Sequence, residues 1–280
     1  MQKMSLTISE LEARIADTNS SPEKISLLLS LAWEFKNSEP HRARTLCDEA
    51  LHLLAKFPSP RDYAFAHLIL CIANWRLNLY ADAIRFGSQS LSQFEFIHDT
   101  LGIAHASQNI AICHYFLGDY ERALFFYNKS LHSFTEINNI DGIANTLNNI
   151  GIIYHRFGNL EEGLAHFKKS LEIQQKSASA EIAATTNIGI IYKDLHDRPT
   201  AIAYYQTALA LCEKYHDLPR KGAVLHNLGM IYADMQEYDK AFAYMQSSLS
   251  IFTSIGDHYG EGLVFLSLGR AYSQRAASRD

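Results

Sequence analysis

The stretch from Asn145 to Leu171 reads NTLNNIGIIYHRFGNLEEGLAHFKKSL and gives the clearest indication of the fold. Its apolar residues recur at helical spacing on both sides of a glycine-containing break, which predicts two short helices, Thr146 to Arg156 and Leu160 to Leu171. Gly151 in the first helix and Gly163 in the second lack a Cβ, so the two backbones can approach closely. A pair of this size is only marginally stable in water. We therefore expect further helices to pack on both sides of it.

The same pattern recurs along the chain. A small residue opens each predicted second helix, and these residues lie 40, 40, 38 and 40 positions apart: Ala83, Ala123, Gly163, Ala201 and Ala241. The predicted first helices carry an Asn-apolar-small trio: Asn109-Ile110-Ala111, Asn149-Ile150-Gly151, Asn187-Ile188-Gly189 and Asn227-Leu228-Gly229. A fixed period of this length indicates an array of helical repeats, each too small to bury its apolar face alone.

The periodicity divides the chain into three parts. Residues 1–20 are predicted to form an N-terminal cap helix, residues 21–274 the repeat array, and residues 275–280 a polar tail. The array contains about six full repeats and a seventh first helix at Gly262–Gln274. Because no second helix follows in this sequence, we expect part of that helix's apolar face to be exposed. It acts either as a C-terminal cap with a self-association surface or as part of a longer protein.

Composition excludes several classes of protein. Hydrophobic residues make up 48% and charged residues 20%, as in globular proteins rather than disordered ones. The net charge of −5 provides no basic stripe for nucleic-acid binding. We also find neither a secretory signal nor an apolar run long enough for a membrane span. The four cysteines match no metal or redox spacing, so we expect them to be small buried hydrophobes in a cytoplasmic protein.

No catalytic constellation is visible in the sequence. Phosphate-binding, dinucleotide-binding, zinc-protease and serine-hydrolase motifs are all absent. The 13 histidines are scattered, and no two of them stand four residues apart with a carboxylate to form a metal-binding face. We therefore expect a non-enzymatic protein with no cofactor and no metal.

The repeat columns resemble the tetratricopeptide repeat (TPR) family. The columns that match are Ile150-Gly151-x2-Tyr154 with Gly163-x3-Phe167, Ile188-Gly189-x2-Tyr192 with Ala201-x3-Tyr205, and Leu228-Gly229-x2-Tyr232 with Ala241-x3-Met245. The opening Trp and closing Pro of the family pattern are missing, and the period is longer. In this the chain is similar to the extended repeats of kinesin light chains and bacterial Rap-type regulators. The resemblance implies an all-α, right-handed superhelical solenoid of antiparallel helix pairs.

The resemblance also implies that the first helices line a concave groove. There, a row of Asn side chains can hydrogen-bond the backbone of an extended peptide, because a carboxamide offers both donor and acceptor. Ile112, Ile152, Ile190 and Met230 follow three residues after each Asn and would form an apolar floor. The predicted peptide-binding residues are Asn109, Asn145, Asn148, Asn149, Ile152, His155, Arg156, Asn187, Ile190, Lys193, Asn227 and Met230. Alternatively, the Asn row fixes repeat stacking by bonding a neighbouring repeat.

Two functions are compatible with this sequence. The first is a non-catalytic protein-interaction scaffold that binds a peptide segment of a partner protein in the groove. The alternative is an N-terminal sensory or regulatory domain of a larger bacterial signalling protein, with a cyclase, kinase or transcription-regulator output. Neither function requires binding to nucleic acid or to a membrane.

Overall fold

A computed structural model describes residues 7–18, 20–173 and 177–278, and the regular elements within these ranges are all α-helices. The helices are α1 (Ile8–Asp17), α2 (Ser21–Phe35), α3 (Pro40–Leu54), α4 (Pro60–Arg76), α5 (Tyr80–Phe96), α6 (Thr100–Phe116), α7 (Tyr120–Glu136), α8 (Ile140–Arg156), α9 (Leu160–Glu172), α10 (Ala178–Asp194), α11 (Arg198–Tyr215), α12 (Leu218–Asp234), α13 (Tyr238–Ile255) and α14 (His258–Ala277). The chain divides into two compact units, residues 1–142 and 143–280, which we describe separately as the first and second units.

Successive helices pack as pairs because their connections are short. In the first unit α4 packs on α5 and α6 on α7, and in the second α10 packs on α11 and α12 on α13. A connection such as residues 117–119, between α6 and α7, is long enough only to reverse the chain. First helices also pack on the next first helix, as α4 does on α6 and α12 on α14.

The turns within the pairs share one left-handed residue. Gly118 and Gly158 adopt φ of 77° and 78°, where a residue without Cβ is unstrained. At the same turn position Asn78, His196 and Gln236 adopt φ of 60° to 61°. The turn geometry is therefore kept even where the residue carries a Cβ.

Aspartates begin many of the helices. Asp99, Asp119, Asp197, Asp217 and Asp257 each accept a hydrogen bond from the backbone N–H three residues later. Such an N-cap satisfies an otherwise unpaired donor and places a negative charge at the positive end of the helix dipole. These caps fix where each helix starts relative to the turn before it.

The predicted close approach of the α8–α9 pair is confirmed. A Cβ built on Gly163 would lie 3.1 Å from the backbone oxygen of Gly151. A Cβ built on Gly151 would lie 2.6 Å from the buried ring of Phe167. The helices end at Arg156 and begin at Leu160 as the sequence predicts, although α8 starts earlier, at Ile140.

The repeated small residues and the cysteines are core residues. Ala83, Ala123, Ala201 and Ala241 are fully buried. Cys47, Cys71, Cys113 and Cys212 are buried free thiols, as predicted. Burial raises the pKa of Cys212 to about 11, so this thiol stays neutral.

Buried serines at one repeat position, which the sequence analysis did not identify, join the two helices of several pairs. The Oγ atoms of Ser90, Ser170 and Ser248 donate to the backbone oxygens of Ala64, Ala144 and Gly222, at 2.9, 3.0 and 2.7 Å. Each bond runs from a second helix to the first helix of its own pair.

In α14, the apolar face that is buried in the other first helices of the second unit is exposed. Leu266 is 74% exposed, and Tyr259, Phe265 and Tyr272 are also exposed. A Cβ built on Gly269 would meet nothing within 4 Å. The predicted exposure of this apolar face is thus observed. The helix continues to Ala277, so residues 275–277 of the predicted polar tail are helical.

No helix among the described residues is both long enough and apolar enough to span a membrane.

Candidate functional site

The first helices of the second unit carry all but one of the predicted site residues. Most of these side chains are half-buried, as expected for residues that line a surface: Asn145, Asn149, Ile152, His155, Asn187, Ile190, Lys193, Asn227 and Met230. Arg156 is exposed at the end of α8. The structure therefore presents one polar and one apolar side chain from each of α8, α10 and α12 at equivalent positions.

The amides of Asn149, Asn187 and Asn227, here called the Asn column, are open groups at one repeat position on three successive first helices. Within the described residues their side chains make no hydrogen bond to the protein. A half-buried carboxamide without a protein partner keeps two donors and an acceptor for water or a ligand. Stacking of the repeats does not require hydrogen bonds from these three side chains.

Asn109, in the first unit, occupies the same repeat position in a different environment. It is only 8% exposed, and its Nδ2 donates to the backbone oxygen of His105 at 2.9 Å. Its Oδ1 accepts from Nε1 of Trp75 on α4 at 3.2 Å. At this position the amide joins two first helices, which is the packing role that the sequence left open.

Asn148 is a core residue. It is 3% exposed, and its Nδ2 lies 2.9 Å from Oγ of Ser170, with the backbone oxygens of Ala144 and Ala180 at 3.2 and 3.4 Å. Adjacent helical residues point about 100° apart, so Asn148 and Asn149 cannot share one face. The predicted ligand-binding role does not fit this side chain, because its amide is enclosed by α8, α9 and α10.

A histidine–carboxylate contact links α8 and α10. His155 Nε2 donates to Asp194 Oδ2 at 2.6 Å, and Lys193 Nζ lies 3.4 Å from Asp194 Oδ1. Two predicted residues, His155 and Lys193, therefore meet at one aspartate. This contact joins the C-terminal ends of the two helices.

Two neighbouring cavities, together called the Lys193 cleft, lie beside this contact. The larger, of about 870 Å³, is lined by Lys193, Asp194, His196, Arg198, Ala233, Asp234, Gln236, Tyr238, Gln274, Ala277 and Ser278. The smaller, of about 140 Å³, is lined by Lys193, Met230, Ala233, Asp234, Met245, Ser267, Arg270, Ala271 and Gln274. Most lining residues belong to the C-terminal halves of α10, α12 and α14 and the turns that follow. The predicted Lys193 and Met230 are among them.

The cleft includes residues of α14 that sequence reasoning missed. Ser267, Arg270 and Gln274 line it, and Ser267 Oγ is hydrogen-bonded to His226 Nε2 at 2.7 Å. Burial lowers the pKa of His226, which favours its neutral form. The missed signal was the trio Ser267-Leu268-Gly269, in which Ser replaces the repeated Asn.

Within the described residues, no three His, Cys, Asp or Glu side chains are grouped so that they could hold a metal ion. The polar groups of the cleft are hydrogen-bond donors, acceptors and charges, which suit recognition of a polar ligand.

Comparisons with known proteins support the repeat assignment. The sequence profile of the tetratricopeptide repeat family matches residues 62–136, 142–214, 181–237 and 220–279. No curated protein matches the chain. The prediction of an all-α array of helix pairs is confirmed.

Solved structures of the same fold include a bacterial quorum sensor and a plasmid gene regulator. The apo form of the quorum sensor NprR from B. thuringiensis superposes with a TM-score of 0.76 at 16% identity, covering 95% of this chain and 74% of NprR. The Rap conjugation gene regulator of plasmid pLS20, in complex with the Phr* peptide, gives 0.62 at 13% identity, covering 99% and 80%.

A kinesin light chain from Podosopora anserina with nearly identical TPR-like repeats gives a TM-score of 0.57 at 12% identity, covering 71% of this chain and all (100%) of that one. At these identities the similarity concerns the fold. The family profile, in contrast, covers well over half of the sequence. The chain is a member of the tetratricopeptide repeat family.

Proposed function

We propose that the first helices of the second unit bind an extended peptide segment of a partner protein. The tetratricopeptide repeat is generally a non-catalytic scaffold for protein interactions, and the proposal assigns this role to a particular surface. The observation that carries it is the column of open amides at Asn149, Asn187 and Asn227. Amides on successive helices can pair with C=O and N–H groups a few residues apart along an extended backbone.

The side chains around the column supply the remaining contacts. Ile152, Ile190 and Met230 lie one turn further along the same helices and are half-buried, so ligand side chains can pack on them. The Lys193 cleft follows at the C-terminal ends of α10 and α12. Its lining combines Lys193, Arg198 and Arg270 with Asp194 and Asp234, so a ligand of mixed charge is favoured there.

The solved relatives support a peptide as the ligand class. The Rap regulator of pLS20 was solved with the Phr* peptide, and another Rap protein with competence and sporulation factor. NprR is described as a quorum sensor. These names also favour an alternative, in which the array is the sensory or regulatory part of a larger signalling protein. Reading the gene downstream of codon 280 tests this alternative, because a stop codon there would count against it.

The experiment is capture of a partner by the intact chain, mapping of the bound segment, and measurement of its affinity as a synthetic peptide. Replacing both Asn149 and Asn187 with Ala should weaken binding by about 5- to 150-fold, because each amide bond contributes about 0.5–1.5 kcal/mol. The melting temperature should change little, since neither amide bonds the protein.

Gln206→Ala is the matched control, because it removes an exposed amide from the second helix α11. It should leave the affinity unchanged. The proposal fails if the double Asn variant binds the mapped peptide as tightly as the wild-type chain does, or if only its stability changes.

A further inference from the structure

A separate cavity, here called the Trp33 pocket, lies entirely within the first unit. Its volume is about 390 Å³. It is lined by Ser26, Leu29, Ser30, Trp33, Arg61, Asp62, Phe65, Leu68, Phe94, Asp99, Leu101, Gly102 and His105. Most of these residues belong to the first helices α2, α4 and α6. The volume lies at the low end of the roughly 300–1,000 Å³ typical of small-ligand sites, so it suits one or two side chains.

The floor and walls of the pocket are apolar. Leu29, Leu68 and Phe94 are buried beneath it. Trp33 and Phe65 are half-buried, and their ring centroids lie 5.2 Å apart at an interplanar angle of 33°. Aromatic rings in this arrangement can accept a third ring edge-on or offset, which adds to the gain from burying its surface.

The rim of the pocket is acidic. Asp99 caps α6 through Gly102 N, and its other oxygen lies 3.7 Å from Arg61 Nε. The Asp62 carboxylate has no cationic partner among the described residues. Burial lowers the pKa of His105, so this imidazole adds no positive charge near pH 7. One guanidinium therefore faces two carboxylates.

A lysine that is not part of the lining stands at the C-terminal end of α2. Lys36 follows the last residue of that helix, where its Nζ donates to the backbone oxygen of Trp33 at 2.8 Å. It does not line the pocket. Its Nζ lies 3.7 Å from the centroid of the Trp33 ring. Among the lining residues, the uncompensated charge is negative and belongs to Asp62, in the first turn of α4.

We propose that the Trp33 pocket binds an aromatic side chain of a partner's peptide segment that carries Lys or Arg next to the aromatic residue. The ring packs against Trp33 and Phe65, and the neighbouring cation pairs with Asp62. This inference depends on the proposed peptide-binding function in one respect, because the aromatic side chain is taken to come from a bound peptide. The site itself shares no residue with the Lys193 cleft or the Asn column.

The two tryptophans of the chain allow a direct test. Trp33 lines the pocket, whereas Trp75 is bonded to Asn109 and lies outside the lining, so it serves as an internal control. The full chain is labelled with ¹⁵N-tryptophan, and the two indole N–H signals are assigned with Trp75→Phe. The probes are acetyl-phenylalanyl-lysine amide, the same dipeptide with glutamate in place of lysine, and acetyl-alanyl-lysine amide.

The phenylalanyl-lysine probe should shift the Trp33 signal saturably and leave the Trp75 signal in place. It should bind about 3-fold more tightly than the glutamate probe, the effect of one exposed charge pair. Asp62→Asn should remove that preference. Phe65→Ala should weaken binding about 10-fold, whereas Phe125→Ala, which removes an exposed ring from α7, should not.

The inference is overturned if the Trp33 signal does not move, if Trp75 moves with it, or if the alanyl-lysine probe gives the same saturable shift. Asp62→Asn keeps the test decisive should Phe65→Ala fail to fold. The chain with Asn149 and Asn187 both replaced by Ala separates this result from the proposed function. If that variant still binds the mapped peptide, the proposed function fails, while an intact Trp33 response still supports the pocket.

Discussion

The ring of Phe167 fills the space that a side chain on Gly151 would need. A Cβ built on Gly151 would lie 2.6 Å from Cε1 of that ring, and the ring is almost completely buried. This contact recurs in the second unit, where Gly189 meets Tyr205 and Gly229 meets Met245. In these three first helices, the glycine therefore faces the bulky residue of the second helix of its own pair.

Gly151→Ala should destabilise the protein by about 1–3 kcal/mol, because the added methyl group overpacks a core whose ring cannot move aside. Gly269→Ala is the matched control at the same repeat position in α14, where nothing lies within 4 Å. It should stabilise the helix by up to about 1 kcal/mol, since Ala is a better helix former than Gly. Denaturant unfolding of both variants measures the two effects. Equal and small changes in the free energy of unfolding would contradict the close contact between Gly151 and Phe167.

Asn109→Ala and Asn187→Ala should differ in stability although the two residues share a repeat position. Removing the Asn109 amide leaves the indole N–H of Trp75 without its acceptor, which should cost about 1–3 kcal/mol. Asn187 has no such partner, and Ala is the better helix former, so its replacement should be neutral or slightly stabilising. Thermal unfolding followed by circular dichroism compares them. A large loss of thermal stability for Asn187→Ala would mean that the Asn187 amide also stabilises the packing of the helices.

Stability should fall as the pH is lowered through about 6.5. Burial lowers the pKa of His67, His105, His114 and His226 below the ordinary 6.5. In that range the unfolded chain binds protons that the folded chain does not, so the free energy of unfolding decreases on acidification. The contribution is fully present above pH 7. His258 has the opposite shift, raised by its bond to Glu261, but it is fully exposed.

Melting temperatures at pH 7.5 and 5.5 measure this effect. His67→Gln should reduce the difference between the two, because it removes one buried titrating group. His258→Gln should not reduce it. A melting temperature that is the same at both pH values would show that the buried histidines do not control acid stability.

His196→Gly should stabilise the turn between α10 and α11. His196 adopts φ of 61°, which costs a residue with a Cβ roughly 1 kcal/mol and costs Gly nothing. Gly158→Ala, the reverse change at the equivalent turn, should destabilise by a similar amount, since Gly158 has φ of 78° and nothing near it to clash. Opposite shifts in the denaturation midpoint are expected. Shifts of the same sign would exclude the turn conformation as their cause.

Sequence periodicity was sufficient to locate the helices of the central repeat. The end at Arg156 and the start at Leu160 agree with the structure because Gly158, between them, adopts the left-handed conformation that stops a helix. The start of α8 at Ile140 was missed. Ile140, Ile143, Ala144 and Leu147 do follow a helical period, but the Asn and Gly residues around Ile140 are typical of a connection between helices, so the start was placed too late.

The candidate site was predictable only in part. Asn149 and Asn187 follow from the repeat alignment, and both present open amides. Asn148 was included as a neighbour in sequence, although the next residue along a helix faces elsewhere. The bond between Asn109 and Trp75 joins residues 34 positions apart. Its formation depends on how adjacent first helices pack, which no single repeat specifies.

The open face of α14 is useful for protein engineering. Elsewhere in the second unit, the glycine equivalent to Gly269 packs against a large side chain of the second helix. A small residue stands four positions before that side chain, as Ala201 does before Tyr205. A designed helix with this small-x3-aromatic spacing, fused after the described residues, would place its aromatic ring in the open space beside Gly269. The array could thus be lengthened by one helix, with the open face of α14 as its acceptor.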